Sequence, residues 1–433
     1  MSQPDSAVTF PADPPLAATD KPRRRNVRSL VLGGSLVMLV SMLLVTGFNF
    51  TYNVFMARTL GPADFGHINA AISMLLLASC ISLSFQLVCA KFVARNESAG
   101  AKSAIVKSLL GKAWTASLAV AVLLFAAQKP IAAYLNLPDH WMIGLLAIGI
   151  AVYAPVGVKR GAMQGVCSFS RLGGNFVTEA FTRLVVGVGL VVAGYGALGA
   201  VGAISAAVIM AYFLPRTPRE VRAHPEAGEP ASFAEALQAI VFFIGQVIIN
   251  NVDILLVKHF FPADPAGIYA AIAQVGRLLY FICWFGIVNA MFPVTAARQE
   301  QGKSREAMGV PLLLVLGISL AFVAGAALFP HFIMGLIFGS KFINIGPLLA
   351  LYAAATGLYS LSVVVIAYEM SRRIANTGWF QLLISGALIL VIGFYHQDLR
   401  EVILVRIVLM TLMLALVSFP FVRRLLRAPV EAT

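Results

Sequence analysis

Long apolar runs constrain this chain more than any other feature. A helix needs roughly 20 mostly apolar residues to cross the hydrocarbon core of a bilayer. Backbone N–H and C=O groups inside that core must be satisfied within the segment, so such runs are read as helices. Apolar runs occur at 29–55, 66–92, 113–135, 141–158, 174–195, 196–214, 236–259, 266–293, 308–337, 345–369, 375–395 and 401–421. The sequence therefore predicts an all-α membrane protein with about twelve transmembrane helices, numbered here as predicted helices 1 to 12.

The composition agrees with a lipid-facing surface. Apolar residues make up 59% of the 433 and charged residues only 12%, against about 25% charged in a soluble domain. The polar, Pro-rich and basic segment 1–28 is predicted to be a disordered tail. The apolar run after it is too long for a signal-peptide core, so the first helix is expected to be retained. The split between predicted helices 5 and 6 depends on the turn signal at residues 194–196.

Positive charge is distributed unequally between the two sides of the predicted topology. Of the 32 Lys and Arg residues, 24 lie on the side of the N-terminus, five on the other side and three inside predicted helices. Short cytoplasmic loops carry the excess of Lys and Arg in membrane proteins. Both termini are therefore predicted to be cytoplasmic. The net charge of +13 is interpreted as facing anionic lipid of the bilayer rather than nucleic acid.

An internal repeat appears at a constant offset of 200 residues. The repeated positions pair Pro62, Ala63, Asp64, Ile68, Ala70, Ala71 and Ile72 with Pro262, Ala263, Asp264, Ile268, Ala270, Ala271 and Ile272. Arg58 is matched by Lys258, which conserves charge. Six helices per half give a parallel repeat related by an axis along the membrane normal. The predicted domains are a six-helix lobe at 29–214, a cytoplasmic linker at 215–235, a second six-helix lobe at 236–421 and a cytoplasmic tail at 422–433.

Polar residues form one stripe on the first helix of each predicted lobe. Predicted helix 7 places Gln246, Asn250 and Asp253 on one face. Predicted helix 1 repeats the pattern with Thr46, Asn49 and Asn53. Asn53 and Asp253 are equivalent in the repeat, so they are predicted to face each other across a central cleft. Hydrogen bonding between helices within one lobe is the alternative.

Placing a charged group at bilayer depth costs at least about 2.5 kcal/mol of free energy, so each such group needs a structural or functional explanation. Glu179 and Arg183 are spaced i, i+4 in the order that favours an ion pair. Arg406 lies near the outer end of predicted helix 12, where it could snorkel to the surface. Arg277, one turn from Gln274, has no carboxylate one turn away in its own helix. It therefore needs a partner such as Asp253 or an anionic ligand.

The sequence contains no motif that indicates catalysis or metal binding. There is no phosphate-binding loop, no metal-ligand spacing and no cluster of His with carboxylates. The chain is accordingly predicted not to be an enzyme and to need no cofactor or metal. The four cysteines have no reason to pair and are predicted to be small packing residues.

Two stretches at the repeat resemble a known family. Residues 55–66 resemble the first inter-helix signature of bacterial polysaccharide exporters, and residues 251–258 with 266–271 are similar to their second-lobe signature. These exporters are the lipid-linked oligosaccharide flippases of the multidrug/oligosaccharidyl-lipid/polysaccharide superfamily. The resemblance implies alternating access in the bacterial cytoplasmic (inner) membrane, with an undecaprenyl-pyrophosphate-linked glycan as cargo. Cleft arginines would meet the pyrophosphate, and Arg277 is the best match to that role.

Other functions fit parts of the sequence. A multidrug or cation antiporter shares the superfamily fold, and Asp253 would suit coupling to H+ or Na+. A sugar symporter of the major facilitator kind needs a loop signature that 91–97 lacks. A membrane glycan polymerase or ligase needs a large outer loop that the predicted topology does not provide. The lipid II flippases have basic residues inside their first two helices, which this chain lacks, so export of a peptidoglycan precursor is not expected.

Overall fold

The computed structural model describes residues 27–221, 237–283, 304–343, 347–371 and 378–427, with the single residues 223 and 233. Helices are the only regular secondary structure of the described residues. Its helices are α1 (Val27–Leu60), α2 (Pro62–Arg95), α3 (Ala99–Ala126), α4 (Gln128–Tyr134), α5 (Trp141–Gly165), α6 (Phe169–Leu190), α7 (Gly196–Phe213), α8 (Leu237–Phe260), α9 (Ala263–Cys283), α10 (Ser304–Leu328), α11 (Pro330–Phe338), α12 (Leu348–Ser371), α13 (Gly378–Phe394) and α14 (Leu399–Arg427). The face at which α1 begins and α14 ends is called the terminal face below. The face at which α1 turns into α2 is called the opposite face.

Ten stretches of the described chain are long and apolar enough to cross a membrane. One of them, Phe169–Phe213, contains both α6 and α7. Between these helices Gly194 has φ 93° and Gly196 has φ 51°, a left-handed backbone that favours glycine. The chain turns there, and α6 packs against α7. With this pair counted as two and the shorter apolar helix at Trp379–Phe394 added, the described chain has the twelve crossings that the sequence predicts.

The helices form two lobes with matching internal packing. In the first lobe, α1 packs on α6, α3 on α5 and α5 on α7. In the second lobe, α8 packs on α13, α10 on α12 and α12 on α14. Each of these three contacts of the first lobe has its equivalent in the second, which confirms two six-helix lobes related by a parallel repeat. The predicted linker at 215–235 lies mostly outside the described residues.

The lobes meet through α2, which packs against both α8 and α9. Near the opposite face, the first turns of α2 and α9 approach through their backbones. A Cβ added at Gly267 would lie 1.7 Å from the carbonyl oxygen of Pro62, and one added at Gly66 would lie 3.0 Å from the Gly267 nitrogen. Only glycine permits this approach. Deeper in the same contact, Gln274 Nε2 donates to Asn69 Oδ1 across the lobe boundary at 3.3 Å.

Several predicted boundaries are wrong for a shared physical reason. The run 113–135 is the end of α3 followed by the separate short helix α4, and the run 308–337 divides likewise into α10 and α11. Pro130 and Pro330 lie just after these breaks. A proline lacks the N–H that a continuing helix would use, so the preceding helix ends. These two prolines also differ by 200 positions, which extends the repeat.

Two further predictions are wrong, one about the end of predicted helix 4 and one about Cys167. Predicted helix 4 stops at residue 158, whereas α5 continues to Gly165 and takes Arg160 into the helix. Cys167 is not a packing residue, because it is exposed in the turn between α5 and α6. The predicted N-terminal tail up to residue 26 and the end of predicted helix 8 at 284–293 lie outside the described residues, as do the start of predicted helix 11 at 375–377 and residues 428–433 of the tail.

Candidate functional site

A buried carboxylate binds two arginines inside the first lobe. Glu179 on α6 accepts from Arg183 at 3.0 Å, which confirms the predicted i, i+4 ion pair, and from Arg160 on α5 at 2.5 Å. Asn175 Oδ1 accepts from Arg160 Nε at 2.7 Å, and Arg183 Nη1 donates to Asn49 Oδ1 on α1 at 3.1 Å. These five residues are called the first-lobe cluster. Glu179 lies ten residues into α6, about 15 Å along the helix axis from its start and thus at hydrocarbon depth.

The second lobe contains a buried carboxylate of its own, Asp253 on α8, at a different position in the repeat. Asp253 Oδ2 accepts from the hydroxyl groups of Tyr269 at 2.9 Å and Tyr352 at 3.0 Å, and from Arg406 Nη1. The Arg406 guanidinium also lies over the Tyr352 ring, 4.7 Å from its centroid. With Arg277, these residues are called the second-lobe cluster. Asp253 is completely buried and Arg406 is 1% exposed.

These contacts correct two predictions. Arg406 does not snorkel to the surface, because its guanidinium is buried against Asp253. Asp253 does not face Asn53 across the lobe interface, because its partners all lie on α9, α12 and α14 within its own lobe. A buried carboxylate needs hydrogen-bond and charge partners, and Asp253 finds them on α9, α12 and α14 rather than across the lobe boundary. Asn53 remains half-buried on α1, and its Nδ2 donates to Asn49 O at 2.8 Å.

Arg277 on α9 differs from the other buried arginines in its partners. Its Nη2 donates to Asn250 O at 2.6 Å and to Asn251 Oδ1 at 2.9 Å, both neutral oxygens on α8. Its Nε is buried and has no hydrogen-bond partner among the described residues. An ion pair with Asp253, one of the two alternatives for Arg277, is absent from the described salt bridges, in which Asp253 binds Arg406 instead. Among the described residues, Arg277 is thus a buried cation whose hydrogen bonds go to neutral oxygens.

The other members of the polar stripe of α8 are Gln246 and Asn250, one turn apart. Gln246 is 9% exposed, and its Oε1 has no hydrogen-bond partner among the described residues. Asn250 is half-buried, and its Nδ2 donates to Gln246 O at 2.8 Å. The structure therefore brings Asn250 and Arg277 together between α8 and α9, with Gln246 one turn before Asn250 on α8. Gln274 lies one turn before Arg277 at the contact with α2.

The two clusters have the same formal charge. Each contains one carboxylate and two arginines, Glu179 with Arg160 and Arg183, and Asp253 with Arg277 and Arg406. Each lobe therefore carries a formal charge of +1 among these groups at bilayer depth. A buried net positive charge suits an anion and disfavours a cation. Four members of these clusters were not predicted as site residues: Arg160, Asn175, Tyr269 and Tyr352.

The two lobes, their repeat and the buried charges together define a multi-pass membrane transporter. The chain belongs to the family described as polysaccharide biosynthesis protein, whose family model matches residues 55–347. Proteins in two strains of Mycobacterium tuberculosis, both described as uncharacterized, are 24% identical to it over 291 residues. That match covers 63% of this chain and 65% of each relative, which is less than two thirds of their length.

Solved structures share the fold. An inward-facing multidrug resistance transporter of the MATE family and MOP superfamily has a TM-score of 0.72 at 12% identity, over 92% of this chain and all of that chain. A MOP superfamily transporter from Pyrococcus furiosus has a TM-score of 0.58 at 13% identity, over 92% of this chain and 95% of that one. At these identities the likeness shows the fold alone.

Proposed function

We propose that the protein is a flippase that moves an undecaprenyl-pyrophosphate-linked oligosaccharide across the bacterial cytoplasmic membrane by alternating access. The product would serve the synthesis of a cell-surface polysaccharide such as O-antigen, capsule or exopolysaccharide. The family membership and the two-lobed transporter fold support a membrane transporter in polysaccharide biosynthesis. The proposal that the protein recognises the pyrophosphate rests on one observation, the buried Arg277.

Arg277 is 8% exposed, yet its bonded partners are a backbone carbonyl and an amide oxygen. A guanidinium removed from water without a carboxylate is costly, and an anionic ligand in a wet cleft offsets that cost. Its fork of N–H donors suits two oxygens of a phosphate, and the Nε without a described partner leaves a donor available. Phosphate is therefore the ligand class that this arginine fits.

A cation antiporter is the competing function, and the contacts of Asp253 count against it. A carboxylate that couples to H+ or Na+ has to exchange its partners, whereas Asp253 accepts from two tyrosines and one arginine in a fully buried position. The formal charge of +1 in each cluster would also repel an organic cation. The excess of Lys and Arg on the terminal face supports cytoplasmic termini and hence export from the cytoplasm.

The test is glycan export in a deletion strain complemented with variants at matched membrane levels. Arg277→Ala removes the cation and should abolish export, while Arg277→Lys keeps the charge without the bidentate fork and should reduce export partly. Arg400→Ala is the matched control, because Arg400 is exposed at the opposite face; it should export normally. Wild-type export by Arg277→Ala would refute the assignment. Efflux of a cationic dye that depends on Asp253 would favour the antiporter.

A further inference from the structure

Arg58, at the end of α1, reaches from the first lobe to a short helix of the second. Its Nε donates to Ile337 O at 3.0 Å, and its Nη2 donates to Leu336 O. Both carbonyls belong to the last turn of α11, which ends at Gly339 with φ 95°. The Arg58 side chain passes over this residue, since a Cβ at Gly339 would lie 3.8 Å from Arg58 Cγ. Arg58 thus binds the C-terminal end of α11.

Lys258, at the end of α8, makes the reverse connection. Its Nζ donates to Asn136 O at 3.1 Å, just beyond the C-terminus of α4 in the first lobe. Asn136 has φ 48° and in return donates from Nδ2 to His259 O at 2.8 Å. The His259 ring stacks on Tyr134, with centroids 3.7 Å apart. The second lobe is thereby bound to the end of the first lobe's short helix.

These two connections are equivalent under the repeat. Arg58 and Lys258 differ by 200 positions, as do Pro130 in α4 and Pro330 in α11. In both connections a basic residue donates to a backbone carbonyl at or just beyond the C-terminal end of the other lobe's short helix, Arg58 in the last turn of α11 and Lys258 two residues beyond α4. A residue with left-handed backbone, Gly339 or Asn136, lies at each of these ends. The same contact therefore occurs twice across the pseudo-two-fold axis, once in each direction.

The contact is electrostatically favourable and specific to one arrangement of the lobes. The last carbonyls of a helix lack partners within the helix and form the negative end of its dipole, so a cation is stabilising there. Each connection joins different lobes, so it can exist only while the lobes meet at the opposite face. The close backbone approach of Gly267 to Pro62 lies on the same side.

We propose that Arg58 and Lys258 are a reciprocal pair of clasps that hold the opposite face of the transporter closed. The pair of contacts, Arg58 with α11 and Lys258 with Asn136, must break for the lobes to separate on this face. This inference rests on the alternating-access part of the proposed function and is independent of the cargo. A structural measurement can therefore test it without any assay of glycan export.

The reporter is a cysteine at Ser73, which is buried on the α2 face that also carries Gly66. An impermeant thiol reagent is applied to the opposite face of oriented membrane vesicles, with the parent protein as background for the native cysteines. Arg58→Met and Lys258→Met each remove one charge and leave a side chain of similar volume. Each should raise the alkylation rate of Ser73→Cys about two- to fivefold, because the interaction of a cation with a helix C-terminus stabilises the closed arrangement by about that factor. The double variant should show about the product of the two factors.

Three comparisons decide the outcome. Arg58→Lys and Lys258→Arg keep the cations and should stay close to the parent rate. Arg400→Met removes an exposed arginine from the same face and should leave the rate unchanged. Clasp variants that label no faster than Arg400→Met would overturn the proposal. It would also be overturned if labelling rose equally from both faces with a lower melting temperature, because that pattern reports unfolding rather than opening.

Discussion

Replacing Gly267 by alanine should open the opposite face. The added Cβ would lie 1.7 Å from the Pro62 carbonyl oxygen, whereas ordinary contact begins at 3.4 Å, so α2 and α9 must separate by about 1.7 Å. The obstructing atom is backbone and cannot rotate away. Overpacking of this kind costs about 1–3 kcal/mol, and the cost applies only to the closed arrangement. Alanine also stabilises a helix by about 1 kcal/mol relative to glycine. This contribution is the same in the closed and open arrangements, so it does not change the equilibrium between them.

The equilibrium between closed and open arrangements should therefore shift about 5- to 150-fold toward opening. The assay is alkylation of the cysteine at Ser73 from the opposite face, compared with the thermal midpoint of the purified protein. Gly386→Ala on α13 is the matched control, because an added Cβ there meets nothing within 4 Å; it should not change the alkylation rate. Equal rates in the two variants would show that the lobes do not close through this backbone contact.

The remaining predictions concern the first-lobe cluster and the orientation. Glu179→Gln leaves two buried guanidiniums without their carboxylate. The free energy of unfolding should therefore fall by about 3–5 kcal/mol, measured by thermal or denaturant unfolding. Glu97→Gln, at an exposed position, should stay within about 0.5 kcal/mol, and equal losses in the two would contradict the ion cluster. A cysteine at Lys341 should react with an impermeant thiol reagent from outside the cell and one at Glu97 should not; the reverse pattern would contradict cytoplasmic termini.

Features that depend on local sequence could be predicted. The apolar runs gave the number of crossings because hydrocarbon leaves a backbone no alternative to the helix. The split between α6 and α7 followed from Gly194 and Gly196, since a left-handed turn is costly for other residues. The Glu179–Arg183 pair followed from helical spacing alone. The repeat was readable because equivalent positions kept their residues at a fixed offset.

Features that depend on partners in distant helices could not be predicted. Arg160 was counted among the loop charges, and its contacts with Asn175 and Glu179 on another helix account for its burial. Asp253 was considered as a partner for Arg277 only, and its contact with Arg406 depends on how α9, α12 and α14 surround it, which helical spacing within α8 does not show. The breaks before α4 and α11 could have been predicted from the sequence, because Pro130 and Pro330 occur at the repeat offset and each indicates the end of a helix.

The reciprocal contacts of Arg58 and Lys258 bear on the ancestry of the protein. A six-helix unit that paired with an identical copy would need a single basic residue to make both contacts, and one substitution would then remove both at once. Duplication and fusion of such a unit place the two positions under separate genetic control. Arginine in one half and lysine in the other are the divergence that separate control permits. Each half can then change its chemistry while the other still binds its neighbour.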